Sequence, residues 1–501
     1  MSVESSLSSR ACARLLSPPC QDVAVPLRRL QKARLLWLNE RAARDDATFH
    51  ALGADKAAYG RHLLMACGYV VDTTSGGCDA VGHADRYGGA GIGRNGGSGR
   101  NVFINGYQVK GVGRTPLVSA LTAESHASGG AYLEECVREA IFSEVVAAEF
   151  PYGAVPTLAI IDTGLVQVWD TALGPKRERR TLLVRPAFVR PAHFERAVGF
   201  HSPRPFEGFR DHQRVVQTFG TATGLLGKDR LRQRFEALGG RWAHQLAYAF
   251  VHRLPHGSNT SSNIAFDGRL VDFGAMTALP SWSKAATALL VDPFESRFAS
   301  LEQAIRSMSY YFGRHLDPRL VETPAIEARV ARARAAFECC VTYEVLRLCG
   351  VPDRLAADAV QSVRGGHLWR YVRRCIAHFQ AEQIDFVERV ELPALPWDLH
   401  RVWDARPPAH LSLLHHVLLD LVAPAARDAA LETCLLRCAP RPLLYAPAAK
   451  DRVYTSLEAA PEVGPDEDAA RVANLVNTTV LASRRDHPAP GAAEARNSLL
   501  G

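Results

Sequence analysis

The 501-residue chain has no apolar run approaching the roughly 18–20 residues that a membrane-spanning helix needs, so no membrane partner is expected. Its opening, MSVESSLSSRACARLLSPPC, lacks the continuous apolar stretch of a signal peptide, and a cytoplasmic protein is expected. Eleven cysteines are scattered without a C-x-x-C pair, which argues against a zinc site or a disulfide framework. Cys339-Cys340 falls in a helical pattern and reads as buried thiols. There is no long run of one charge: the formal net charge is +7, and the densest basic patch, KRERR at 176–180, reads as a solvated loop. No nucleic-acid partner is therefore expected. Internal repeats are absent. Lysine is scarce as well, supplying seven of the 59 basic residues. A lysine in a structured, glycine-flanked setting then suggests a site that needs a compact ammonium and not a planar fork. Lys110 is such a residue.

Residues 1–25 read as a loose polar leader. PLRRLQKARLLWLNERAA (26–43) has helical spacing, with Leu30, Ala33, Leu36 and Trp37 on one side, and 54–70 reads as a second helix. The glycine-rich YGGAGIGRNGGSGR (87–100) permits close backbone approach and could cradle phosphate. After it, NVFI-NG-YQVK (101–110) is a strong hairpin signal that sets Lys110 at the end of a strand. Residues 131–149 follow as a helix with Leu133, Val137, Phe142 and Val145 in one stripe and Glu135 and Glu139 beside it. A strand lysine paired with a glutamate on the next helix holds phosphates in kinase-like folds. AVPTLAIIDTGLVQVW (154–169) reads as a hairpin turning at Asp162-Thr163-Gly164.

The stretch HGSNTSSNIAFDGRLVDFG (256–274) carries the second half of such a site. A polar run ends at Asn263, and Asp267-Gly268 predicts a type I′ turn between two short strands. Asn263 and Asp272 then lie side by side, an amide oxygen and a carboxylate suited to Mg²⁺ or Mn²⁺. His256 precedes Asn263 by seven positions, the spacing of H-R-D-x-x-x-x-N, but Ser258 stands where a kinase carries its catalytic Asp.

Taken in order, KGVGRTP (110–116), YLEECVREAIFSE (132–144), PTLAI (156–160), VRPAFVRPAHFE (184–195), HGSNTSSN (256–263) and LVDFG (270–274) resemble the selenoprotein-O family. Residues 26–43 resemble that family's opening, so the likeness spans roughly 26–300. The resemblance implies a protein-kinase-like fold that binds ATP in an inverted pose and transfers AMP to hydroxyl side chains of proteins. It assigns the phosphate loop to Gly97-Ser98-Gly99-Arg100, with Ser98 in place of the family's Asp, the strand lysine to Lys110 and the helix glutamate to Glu139. A family D-G pair corresponds to Ser128-Gly129, after a six-residue insertion. Two phosphate-gripping arginines correspond to Arg190 and, across a segment two residues shorter, Arg185. The metal ligands correspond to Asn263 and Asp272. Ser262 stands where the family has its proposed proton acceptor. Both familiar base positions are thus serine, so the acceptor is either a hydroxyl served weakly or a carboxylate, which is already ionised at neutral pH. The protein would otherwise be a degenerate nucleotide binder.

Beyond 285 the pattern is helical, over 301–316, 325–348, 368–390, 410–422 and 430–438, with a Pro- and Trp-bearing connector at 391–412. His415 and His416 are adjacent and face different ways, as packing or surface residues. The expectation is an α+β, kinase-like bilobal fold: a β-rich nucleotide lobe (26–195), a mostly helical lobe with the metal site (196–455) and a disordered tail (456–501). The expected activity is Mg²⁺/ATP-dependent AMP transfer to a protein or peptide acceptor, with the helical half as a surface for a partner protein. The alternatives are γ-phosphate transfer, or a nucleotide-binding scaffold in a peptide-maturation or biosynthetic complex.

Overall fold

Burial alternates residue by residue along Ala24–Arg29 (β1), with Val25 and Leu27 inward, and that period of two makes the segment a strand. Arg34–Leu38 (β2) is a second strand, and only Glu40–Ala43 is helical, capped by the Asn39 side chain on Ala42 N. The helix expected over 26–43 is therefore corrected: strand pairing overrode a helical spacing that tertiary packing does not use. The computed structural model describes residue 12, residue 499 and residues 23–486 other than 74–77, 123–126, 173, 202–210, 280, 287–293, 363–364, 382, 386–397 and 460–462. The 1–25 leader lies almost wholly outside these.

The described chain is mixed α/β, a curled antiparallel half-barrel sheet with helices. Its remaining strands are Tyr69–Val71 (β3), Ala80–Ala84 (β4), Asn101–Ile104 (β5), Tyr107–Lys110 (β6), Ala131–Tyr132 (β7), Ala159–Thr171 (β8) and Gly174–Pro186 (β9). The order is β2-β8-β9-β6-β5-β4-β1-β3, with β7 also on β9. The expected β5–β6 hairpin forms, and Asn105 (φ 51°) and Gly106 (φ 86°) take the left-handed conformations that a two-residue I′ turn requires. The hairpin expected within 154–169 does not form. Residues 162–164 are a bulge inside the long strand β8, and its partner is β9, which includes the 176–180 patch expected to be a loop.

Helix Lys56–Cys67 covers one face of the sheet with Tyr59, Leu63 and Cys67, over Val25, Val102 and Val184. Helix Leu133–Glu149 buries Leu133, Val137, Phe142 and Val145 on the other side, in the same cluster as Lys228–Val251 and Thr323–Leu348. Each fully buried side chain of this size contributes about 1.5–3 kcal/mol. The helices expected near 301, 325, 410 and 430 are present as Phe294–His315, Thr323–Leu348, Ser412–Leu421 and Arg427–Cys438. The one expected over 368–390 stops at Phe379, and Gln383–Asp385 pairs in parallel with Lys284–Ala286. The Gln380 side chain reaches the Trp282 carbonyl at 3.1 Å and ties that stop to the body. Residues 386–397 of the helix and connector lie outside the described residues. The ten described cysteines are free, and among the described residues no helix is long and apolar enough to cross a membrane.

The disordered tail expected from 456 is also corrected. Helix Pro465–Ser483 buries Val472 and Val476, and its Asp468 meets Arg34 at 2.6 Å and Arg179 at 2.7 Å. Residues 487–498 lie outside the described residues. Just beyond the helix, the backbone N of Arg485 donates to the buried Glu149 at 2.7 Å. Arg441 donates to both oxygens of Glu149 (3.1 and 2.9 Å), and Tyr248 adds a bond of 3.0 Å. Arg441→Ala would leave that carboxylate buried without its cation. We expect a loss of about 3–5 kcal/mol, read as a lower urea midpoint; an unchanged midpoint would show that the tie is not stabilising.

Candidate active site

Lys110 ends β6 with its side chain 3% exposed. Register places it across from Leu183 on β9 and points it at helix Leu133–Glu149. Its Nζ lies 2.6 Å from Glu139, 2.8 Å from Glu135 and 3.2 Å from Asp272. The two glutamates are one helical turn apart, so one face presents both carboxylates. Arg100 forks onto Glu135 at 2.7 and 2.9 Å, the bidentate geometry that suits a guanidinium. Arg185 contacts Glu139 and bonds to Gln108 at 3.3 Å. Burial would raise the Glu135 carboxyl, but Arg100 and Lys110 outweigh it and hold it at about 2. Lys110, with help from Arg100 and Arg185, likewise outweighs burial at Asp272 and keeps that carboxyl far below the usual range.

Asp272 has φ 67°, a left-handed conformation that Asp tolerates better than most side chains and that sites often retain for function. The turn before it differs from the expected I′ type. Gly268 N donates to Ala265 O at 2.9 Å and Ala265 N to Arg269 O at 2.7 Å, with only Gly268 left-handed (φ 94°). That is a three-residue loop, a type I turn closed by glycine. The strands are reduced to one bridge, Ile264 to Leu270, yet the expected neighbourhood is kept because Val271 N donates to Asn263 O at 3.0 Å. His256 Nε2 donates to Val271 O at 3.0 Å, and burial keeps its pKa below the ordinary value, so the ring is neutral.

The Asn263 side-chain nitrogen donates to Ser258 O at 3.1 Å, which leaves Oδ1 as the atom able to bind a cation. The Asp272 side chain is 43% exposed, so room remains beside its carboxylate. Among the described residues no group of three or more His, Cys, Asp or Glu could hold a metal. The donors nevertheless fit Mg²⁺, which takes few protein ligands and completes its shell with water and phosphate.

Arg190 joins the Lys110 cluster indirectly, through Gln108 and Asp85, and is braced by residues the sequence did not single out. Its guanidinium meets Asp85 at 3.0 Å, stacks over Tyr87 and Phe188, and donates to the Ser262 carbonyl. Gln108 and His193 also donate to Asp85, at 2.7 and 2.9 Å. Because His193 Nδ1 accepts from Arg190 N, its Nε2 carries the hydrogen. Burial opposes ionisation of Asp85, but Arg190 and His193 overcome it. The available signal was an acidic residue directly before a glycine-rich run.

The glycines are held close to protein. A Cβ on Gly97 would stand 2.4 Å from Asp85 O, and one on Gly99 would stand 2.6 Å from Val118. Gly129 (φ 70°) approaches Arg114 N as closely, while Ser128 bonds to the Tyr132 hydroxyl at 3.1 Å. Both adjoin Gly130, whose carbonyl accepts from Arg100 at 3.1 Å. Gly91 lies on the 260–262 loop: its Cβ would be 2.4 Å from Ser262 Oγ and 2.3 Å from Thr260 Oγ1. Ser262 is buried, with its Oγ 2.8 Å from Thr260 Oγ1.

No protein-family model matches this chain, and no curated protein matches it. A pH experiment tests the cluster directly. Folding depresses the Glu135 carboxyl from 4.5 to about 2, so its stabilisation is complete above the higher value and disappears as pH falls toward the lower. Glu135→Gln should flatten the acid limb of a stability-against-pH curve measured by urea unfolding. An equally steep limb in the variant would place the acid sensitivity elsewhere.

Proposed function

We propose that the protein is a kinase-like, bilobal Mg²⁺/ATP-dependent nucleotidyltransferase that moves AMP onto a protein or peptide acceptor. The observation that carries this reading is the Lys110 ammonium, shared by Glu139 on the helix and Asp272 beside Asn263. One cation thereby fixes the phosphate-binding and metal-binding halves relative to each other. Lys110, Arg100, Arg185 and Arg190 would position the phosphates, and Asn263 and Asp272 would hold the metal. The metal would supply charge stabilisation at the phosphates and orient them for attack.

Charge supports the need for a metal. The four cations Arg100, Lys110, Arg185 and Arg190 face the four carboxylates Asp85, Glu135, Glu139 and Asp272. A triphosphate entering so balanced a site requires added positive charge, and the exposed side of Asp272 is where a divalent ion fits. Transfer of this kind relies mainly on positioning and electrostatics, which a serine at position 262 does not remove. Hydroxyl and carboxylate acceptors both remain compatible with the reading, and the helical C-terminal half is the proposed surface for a partner protein.

A second reading, a catalytically weak nucleotide-binding scaffold, is favoured by the seating of Gly91 on Ser262, which covers the acceptor side of the loop. ATP radiolabelled at the α- or the γ-phosphate separates the possibilities, with Mg²⁺ or Mn²⁺ and with Asp272→Ala as the control. We expect Asp272-dependent transfer of the α-label with release of pyrophosphate. Transfer of the γ-label alone would make the protein a kinase, and binding without transfer would favour the scaffold.

A further inference from the structure

We propose that Glu195, acting through the Ser261 hydroxyl, is the proton acceptor for this transfer, and that the acceptor group is therefore a hydroxyl. The inference rests on the nucleotidyl-transfer reading and supplies the base that Ser258 and Ser262 lack.

Glu195 is 1% exposed, and its two carboxylate oxygens accept from Ser261 Oγ and Ser307 Oγ. Among the described residues no cationic side chain forms an ion pair with it. Every other acid at the site is matched to a lysine or an arginine: Asp85 to Arg190, Glu135 to Arg100, and Glu139 and Asp272 to Lys110. A buried carboxylate matched only to hydroxyls costs stability, and ion pairing would have been the cheaper arrangement. Its position is specific. Ser261 lies two residues before Asn263, so the carboxylate reaches the metal loop from the side, next to the position where a base is missing.

The surroundings suit a proton acceptor. Arg214 faces Glu195 from helix Asp211–Leu226, but it donates to the Glu195 backbone carbonyl and pairs with Asp211 at 2.7 Å. Helix Phe294–His315 contributes Ser307 and the Tyr311 phenol. The glycine-rich segment meets the pair through Gly89 (φ 82°), where a Cβ would stand 2.5 Å from Ser261 Oγ and 2.6 Å from Glu195 Oε2. That segment covers the pair, and it must lift for an acceptor to reach Ser261. Burial raises the Glu195 carboxyl above its ordinary value, against the two hydroxyls and Arg214, which moves it toward the range where a base works best.

The acceptor hydroxyl gives its proton to Ser261 Oγ as Ser261 passes its own to Glu195 Oε2. The acceptor oxygen bonds to the α-phosphorus, and the bond from that phosphorus to the bridging oxygen breaks, its electron pair leaving with pyrophosphate. Glu195 returns its proton to water after product release. A carboxylate acceptor has no proton to lose and needs none of this.

The test uses the full chain, α-labelled ATP with Mg²⁺, and two acceptor sets: peptides bearing serine, threonine or tyrosine with blocked ends, and peptides whose only acceptor is a free carboxyl end. Glu195→Gln is nearly isosteric, and serine hydroxyls can donate or accept, so the fold should tolerate it. We expect Glu195→Gln and Ser261→Ala each to slow transfer to hydroxyls by about 10²–10⁴-fold and to remove the rise of rate with pH. Ser307→Ala, on the other carboxylate oxygen, should keep that rise. Asp272-dependent transfer to hydroxyls that is indifferent to Glu195→Gln would overturn the inference alone. Equal losses in Ser261→Ala and Ser307→Ala, with matching falls in urea midpoint, would make Glu195 a structural pin and also overturn it. Transfer only to carboxyl ends would do the same. Absence of any Asp272-dependent α-transfer would overturn the nucleotidyltransferase reading and this inference with it.

Discussion

The ammonium of Lys110 is the point on which the centre of this molecule turns. It is buried, and isolated burial of a charge is costly, so it persists because Glu135, Glu139 and Asp272 surround it within 3.2 Å. Those partners come from the helix crossing the sheet and from the segment after the 264–270 turn. One side chain therefore fixes the distance between sheet, helix and the segment that carries Asp272. The reverse dependence holds too: three carboxylates that close repel each other without the ammonium, and Arg100 and Arg185 relieve only part of that. A methionine of similar length would fill the space and leave the repulsion.

The same device recurs away from the site, with a different consequence. Glu344 takes His244, His252 and Arg347, and Arg347 also reaches Asp353 and Asp486. Glu149 takes Arg441 and the backbone of Arg485. These buried knots join residues more than a hundred positions apart and lock the last described helix against the body. Apolar packing gives the stability, while the charge pairs restrict which arrangement of helices is allowed, because a mispacked helix would strand a carboxylate.

What could be read from the residues divides by range. Asn105-Gly106 announces its turn because the backbone conformation is a property of those two residues, and Lys110 follows from it. Glu139 was readable because a helix presents every fourth residue on one face. Asn263 and Asp272 were readable as neighbours, although the turn between them is wider than Asp267-Gly268 suggested. Asp85, Gln108, His193 and Glu195 were not readable in their roles, because each acts through partners brought close by the sheet order and by the seating of the glycine segment. The 26–43 stretch misled for the related reason that its apolar residues satisfy two periods, and strand pairing, of β1 with β3 and β4 and of β2 with β8, chose between them. The 465–483 helix was hidden by its alanine- and charge-rich composition, since its anchors, Arg34 and Arg179, lie hundreds of positions away.

The glycine-rich segment gains its meaning from what it touches. Its glycines do not stand open as an empty cradle: Gly89 and Gly91 lie on Ser261 and Ser262, and Gly97 lies on the Asp85 backbone. Close packing of this kind demands glycine as strictly as phosphate binding does, so composition alone could not separate the two uses. The segment seated on the 260–262 loop covers Glu195 and Ser261, and Tyr87 and Ile92 anchor it by packing against Ala192 and Ala197. Phosphates entering beside Lys110 would compete for the cations that now hold Glu135 and Glu139, while an acceptor would compete for the place of Gly91. Under the proposed function, occupation of the two halves would thereby be coupled through one strip of backbone.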